Sequence, residues 1–345
     1  MKFLYFHIPK TAGTSINQLF ANNINNYHFH IESTPNLDKV FCHKYNFISG
    51  HVSFNRMEKM LDLNEWITLA TFREPISYVI SHLSWVRKLA DPGEEQRLNA
   101  HPKIFQDIAR KMLEFDFSKA EEIRRFIAWL ESIDFYYFHN TQLHYMLQTK
   151  NQDALSEQQI NKAIENLYQI DFVGIQEDLS SFIKVLSDEF SWKAITEPKE
   201  NVNKNTYGLN INCAEICEAL KPLYQYDTVI YNEAKKMTLD QSIFYKKGVD
   251  KTAIGFLDTV NPKEVVGWVR YQHSLKKVSV ELVVDDAVVQ VEQANIFRKG
   301  LKMKKIHPSG HCEFRFALKN PIPTSNVKVR VSSTGQVLPR SKVTS

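Results

Sequence analysis

The sequence predicts an α/β domain over residues 1–248, with a parallel sheet flanked by helices, followed by a smaller all-β antiparallel sandwich over 249–345. Two observations predict this. Up to about residue 248, short apolar runs alternate with segments of helical period, the pattern of parallel strands with crossover helices. Past KKGVDK the period changes to two, in VSVELVV, AVVQVEQ, CEFRFAL and NVKVRVSS, as expected of strands with one buried face.

The elements follow in order. Residues 2–8 read as a first strand, and Ile16, Leu19 and Phe20 then share one helical face, with Thr14 or Ser15 as its cap. The Asn-rich stretch NNINNYHFHIESTPN reads as surface loop. Tyr45–Ser49, ending in Gly50-His51, and Trp66–Phe72, ending in Arg73-Glu74-Pro75, read as buried strands. Ile76 to Leu89 reads as a helix with Ile76, Val79, Ile80, Leu83 and Val86 on one side. Residues 104–190 are mostly helical by period, apart from a strand at Phe172–Ile175 and a capped helix start at Asp178-Leu179-Ser180. In the tail, Asp285-Asp286 between two alternating runs reads as a hairpin turn. Trp268 reads as a core residue of that part.

Composition narrows the function classes. The formal charge of +4 over 345 residues argues against a broad nucleic-acid footprint while leaving room for a local anion pocket. There is no run of about 18 apolar residues, so no integral membrane segment is expected. The first apolar stretch stops at Pro9-Lys10, short of a signal-peptide core of roughly 7–15 residues. Cys42, Cys213, Cys217 and Cys312 match no disulfide or zinc spacing. Four free thiols suit a reducing cytoplasm.

The chemistry begins in the loop PKTAGTS, between the first strand and its helix. Helix-start amides lack internal partners and the helix dipole favours negative charge, so this layout is a ready anion site. Gly13 permits close approach of the backbone, Lys10 adds a point charge, and Thr11, Thr14 and Ser15 add hydroxyls. The loop is P-loop-like in layout but lacks the Gly-x-x-x-x-Gly-Lys-[Ser/Thr] spacing. Taken alone it also fits a capped helix with an exposed lysine. A second clue is FREPISYVIS, which sets Arg73 at the end of a strand and Ser81 eight residues on. Strand C-terminal ends are where α/β sheets place ligand groups. Alone, Arg73 paired with Glu74 fits equally.

Together these motifs resemble the sulfotransferases that use 3′-phosphoadenosine 5′-phosphosulfate (PAPS), in particular the heparan sulfate and uronosyl 2-O-sulfotransferases and their bacterial relatives. HIPKTAGTS at 7–15 resembles the family's 5′-phosphosulfate loop, Arg73 with Ser81 its 3′-phosphate pair, and GHVSF at 50–54 the segment with the catalytic base, here His51. HNTQLHYML is similar to an Asn-x-Gln-Thr-Arg segment, with Leu143 and His144 at the Thr and Arg positions. FVGIQEDLSSFIKVL and DTVIYNEAKKM are similar to the family's closing elements, so the likeness spans about residues 1–240.

The resemblance implies that PAPS is held by Lys10, Thr11, Ala12, Gly13, Thr14 and Ser15, with Arg73 and Ser81 on the 3′-phosphate, leaving 3′,5′-adenosine bisphosphate as product. Lys10 would stabilise charge on the leaving oxygen, and His51 would take the proton of a carbohydrate hydroxyl. Gln142, His144 and Lys204 are candidates for substrate contact, with His7, His43 and His82 as other candidate bases. The sequence sets no carboxylate pair beside the loop, and the chemistry requires no metal. The tail resembles small β-sandwich modules of bacterial glycan-modifying enzymes, and a glycan-contacting or homo-oligomerising role is open for it. Two other readings remain: a nucleotide-dependent kinase, and a glycan-binding protein whose α/β part is non-catalytic.

Overall fold

The computed structural model describes residues 1–147, 155–193, 205–244, 252–272, 276–304, 306–307, 310–318 and 326–341. Lys204 lies outside the described residues. The chain divides into two compact units: Met1–Ile164 with Val173–Thr238, and Glu165–Phe172 with Leu239–Ser345.

The first unit is built on five strands, β1 (Phe3–Phe6), β2 (Tyr27–His28), β3 (Phe47–Gly50), β4 (Ile67–Phe72) and β5 (Phe172–Ile175), in the order β2-β3-β1-β4-β5. β1 is central and runs parallel to both neighbours, with Phe6 opposite Gly50 of β3 and Ala70 of β4. Every residue of β1, β3 and β4 is buried. A parallel sheet covered on both faces demands such unbroken apolar runs. Crossover segments include helices α1 (Gly13–Asn23), α2 (Pro75–Lys88) and α3 (Thr141–Tyr145), and α4 (Asp227–Phe244) follows the last strand. The chain leaves β1 toward β2 and β3 on one side and toward β4 and β5 on the other. The strand order reverses at β1, and the crevice at such a point is where open α/β sheets bind ligands.

Three local expectations need correction. The Asn-rich stretch is more than loop: it contains the edge strand β2 and a single 3₁₀ turn, Ile31–Ser33, pinned by the fully buried Ile31. A two-residue strand is too short to show a period. Helix α1 is not capped by Thr14 or Ser15; its N-cap is Ala12 at φ 72°, with no side-chain cap. Lys10 and Ala12 both adopt left-handed backbone, which turns the chain so that Thr14 and Ser15 fall inside the first helical turn. Asp178 likewise makes no side-chain cap. Glu74, by contrast, caps α2 by accepting the N–H groups of Ile76 and Ser77 at 3.3 and 2.8 Å.

The second unit holds β6 (Ala253–Val260), β7 (Glu264–Tyr271), β8 (Val278–Val284), β9 (Ala287–Ala294), β10 (Ile296–Phe297), β11 (His311–Ala317) and β12 (Val327–Val331). They form two sheets, β10-β11-β7-β6 and β12-β8-β9, whose pairings are antiparallel. Val265, Val269, Phe314 and Phe316 of one sheet share a core with Val280, Leu282 and Val329 of the other. Asp285 and Asp286, at φ 48° and 63°, make the two-residue turn between β8 and β9, the left-handed pair that matches strand twist. Trp268 is not core: it is half-buried and packs on the exposed Phe256, ring centres 5.7 Å apart, away from the buried Val269.

Candidate active site

Parallel register brings the three motifs together. β1, β3 and β4 are adjacent, and the residues that follow their C-terminal ends are His7 to Ser15, His51 and Arg73. The loop after β1 leads into α1, whose first turn contains no acidic side chain. Ser15 and Ile16 donate their amides to the Ala12 carbonyl at 3.1 and 3.3 Å. Among the described residues the amides of Gly13 and Thr14 have no protein acceptor. They sit at the positive end of an eleven-residue helix.

Lys10 and Arg73 add two cations to this helix start. The Arg73 guanidinium donates from Nη1 to the Lys10 carbonyl at 3.3 Å. Burial pulls the Lys10 ammonium below its ordinary value, and the Arg73 charge pulls it further. Among the described residues neither side chain forms a salt bridge. The nearby carboxylates are occupied: Glu74 caps α2, and Glu177 accepts from the Glu74 amide at 2.8 Å and the Tyr231 hydroxyl at 3.3 Å. Burial lowers the Arg73 pKa, opposed by the charges of Glu177 and Glu74. Two half-buried cations thus stand with two unbonded amides at the start of α1, with no carboxylate in direct salt-bridge contact among the described residues, an arrangement suited to an anion. Ser81 lies on α2, half-buried, one turn beyond Ser77, which the sequence reading passed over.

Thr11 and Gly13 serve the protein itself. Thr11 is fully buried; its hydroxyl donates to the Ile8 carbonyl at 2.8 Å and lies 3.0 Å from the Thr71 hydroxyl, which bonds to Tyr5. That network braces the loop against β1 and β4. Gly13 is there for His7: a Cβ at residue 13 would lie 1.8 Å from the His7 Nε2. The glycine thus makes room for a ring. Thr14 is exposed and Ser15 buried.

His51 is fixed by backbone. Its Nδ1 lies 2.6 Å from the His7 carbonyl oxygen, which can only accept, so Nδ1 carries the proton and Nε2 holds the free lone pair. Its own amide donates to Glu32 Oε2 at 2.9 Å. Burial lowers the His51 pKa, opposed by the His7 carbonyl and by Glu32. The ring stands 4.5 Å from His7 and 5.9 Å from His30. His7, stacked on Tyr5, is pushed down to about 3 by burial and by the charges of His51 and His30. His82 is buried among Tyr78, Tyr137 and Phe138 and also lowered to about 3, chiefly by burial. His43 lies beside Lys2 and Trp66, near the opposite ends of the strands.

Gln142 bonds at both ends to the backbone of Arg73. Its Oε1 accepts the Arg73 amide at 2.8 Å and its Nε2 donates to the Arg73 carbonyl at 2.9 Å. Both ends of the side chain clamp the backbone of the arginine. α3 is held in turn by Asp227 at the start of α4, whose carboxyl accepts the amides of Gln142 and Leu143 at 3.3 and 2.8 Å. Burial pushes the Asp227 pKa up to about 7, opposed by those two amides. His144 is buried on α3, while the rings flanking His51 are those of His7 and His30. Glu32 and the His7 carbonyl have no motif signal, and Asp227 opens the DTVIYNEAKKM segment without any sign that it seats α3, since all three act through contacts distant in sequence.

Comparison with protein-family models finds no match, and comparison with curated proteins finds none either.

Two predictions follow from packing and burial. Gly13→Ala drives a methyl into the His7 ring and should cost about 1–3 kcal/mol. In urea unfolding, a cycle with His7→Ala should show a coupling of at least about 1 kcal/mol between the two positions. Additive effects would dismiss the ring contact. Asp227 keeps its proton in the folded chain where the unfolded chain has lost it. Its contribution to stability therefore falls as pH rises from about 4, the unfolded carboxyl value, to about 7, and then levels. Asp227→Asn stays neutral throughout. The variant's stability relative to wild type should rise by a few kcal/mol between pH 4 and 7.5, at about 1.4 kcal/mol per pKa unit. A pH-independent difference would show that Asp227 is ionised in the fold.

Proposed function

We propose that the protein is a PAPS-dependent carbohydrate O-sulfotransferase. The observation that carries this reading is the pair of cations, Lys10 and Arg73, set beside the unbonded start of α1 without a salt bridge to a carboxylate among the described residues. A nucleotide with phosphate groups at two places supplies the missing charge. The α1 amides with Lys10, Thr14 and Ser15 take the 5′-phosphosulfate. Arg73, clamped by Gln142, takes the 3′-phosphate with Ser81. The loop motif, the Arg73–Ser81 spacing and GHVSF support the choice of donor by their resemblance to the sulfotransferase family.

The reaction then needs one base and one charge stabiliser. The acceptor hydroxyl attacks sulfur, and its proton passes to the free Nε2 of His51 as the new O–S bond forms. The bond from sulfur to the bridging oxygen breaks, and its electron pair stays on the 5′-phosphate. Lys10 meets that growing charge, leaving adenosine 3′,5′-bisphosphate and a sulfate ester. Preorganised charge and positioning supply the rate. Lowering of the His51 pKa by burial keeps the ring neutral and able to accept at neutral pH.

The direct test is incubation with PAPS and a panel of glycans, glycolipids and small alcohols, read as a mass gain of one sulfate. No gain on any member, with no binding of adenosine 3′,5′-bisphosphate, would overturn the proposal. Tighter binding of ATP with magnesium would favour a kinase.

Single substitutions divide the roles. Lys10→Ala should lower kcat by about 10²–10³-fold and weaken donor binding much less, because the charge it meets appears in the transition state. A raised donor KM with unchanged kcat would remove Lys10 from the chemistry. Arg73→Ala should weaken PAPS and adenosine 3′,5′-bisphosphate by about 10–150-fold, the equivalent of a charged hydrogen bond of about 1.5–3 kcal/mol. AMP, without the 3′-phosphate, should be nearly unaffected, and equal losses would show that Arg73 reads another group. His51→Ala should abolish turnover on a sugar while leaving adenosine 3′,5′-bisphosphate binding intact, and a variant that still turns over at the wild-type rate would exclude it as the base.

A further inference from the structure

His30, Glu32 and His51 meet beside the proposed base. One ligand atom from each lies within 4.8 Å of the others. His30 Nδ1 and Glu32 Oε1 are 3.2 Å apart. Two ligands on a tetrahedral zinc, at bonds of about 2.0–2.1 Å, stand about 3.3 Å apart, so this pair already has the needed spacing. His51 is oriented as a metal ligand is: its Nδ1–H is held by the His7 carbonyl at 2.6 Å, leaving Nε2 to coordinate. Glu32 is fixed through its other oxygen, which accepts the His51 amide at 2.9 Å.

The cluster is built into the fold. Glu32 reaches it because residue 50 is glycine: a Cβ there would lie 2.4 Å from Glu32 Oε2 and 2.9 Å from the Ile31 amide. The buried Ile31 anchors the turn, and left-handed backbone at His30 sets the entry into it. His30 is exposed, so its ring can move the remaining distance without disturbing the core.

We infer that His30, Glu32 and His51 form a binding site for a zinc-class divalent cation, with one open coordination position. Two imidazoles and one carboxylate match that ion class, and they disfavour magnesium and calcium, which take oxygen ligands. One consequence rests on the sulfotransferase reading: His51 has a single free lone pair. The ion that takes Nε2 removes the base, so bound metal and sulfuryl transfer exclude each other. The cation is an inhibitor of the site, not its cofactor.

The binding test is independent of catalysis. Cobalt(II) is titrated into metal-free full-length protein and followed by its visible ligand-field bands, with zinc then added to displace it. One equivalent should bind. His30→Ala and Glu32→Gln should each weaken binding at least about 10-fold, while His101→Ala, outside the cluster, should bind as wild type. Absent bands, or bands unchanged in both cluster variants, overturn the site whether or not the protein transfers sulfate. The second arm measures turnover with PAPS. Zinc should inhibit the wild type, and His30→Ala should keep the basal rate and resist zinc by the factor its affinity has lost. Binding in the first arm with unaltered turnover in the second overturns the competition at Nε2 and leaves the site standing.

Discussion

The hydrogen bond from His51 Nδ1 to the carbonyl of His7 ties the site to the sheet. It exists because β1 and β3 are paired in parallel register, with Phe6 opposite Gly50. The next residue of each strand is then a neighbour by construction. A side chain of one strand is held by the backbone of the other, and the tautomer follows without any acidic partner. Orientation by a carbonyl fixes the proton without adding a charge. A carboxylate at that place would have opposed the anion that the adjacent loop is shaped to hold.

Electrostatics in this crevice lean positive. Lys10 and Arg73 stand together at the start of α1, and each repels the other. Glu177 and Glu74 offset part of the Arg73 charge, while their oxygens serve other tasks: Glu74 caps a helix and Glu177 bonds an amide and a phenol. Those assignments leave Lys10 and Arg73 without a direct salt bridge among the described residues.

Much of the arrangement was legible in the sequence, and the limits of that legibility have a physical pattern. Buried parallel strands announce themselves as continuous apolar runs, so β1, β3, β4 and β5 were found to within one or two residues. The double Asp turn of the tail was found because two-residue hairpins demand particular backbone. The sequence reading set the loop, His51 and Arg73 each directly after a strand, and the structure places them there. What was missed acts across long separations or through backbone. Glu32 meets His51 from a turn 19 residues earlier, in a segment too short and polar to show a period. Gln142 stood as a substrate-contact candidate on the resemblance of HNTQLHYML; only the fold shows both of its ends bonded to Arg73. Gly13 was assigned to ligand approach, yet its missing side chain accommodates His7.

The clamp on Arg73 draws distant parts of the chain into the candidate site. The three segments that carry Lys10, His51, Arg73 and Ser81 lie in the first quarter of the chain. A fragment cut soon after Ser81 would carry every one of them. Yet the arginine's backbone is gripped by Gln142, and Gln142 sits on a helix seated on Asp227. The motif residues are therefore a set of parts, and their assembly is completed by chain synthesised some 150 residues later. During synthesis the seat of the Arg73 clamp stays incomplete until the segment bearing Asp227 has emerged. Transplanting the motifs onto another α/β scaffold would likewise fail to carry the grip along with them.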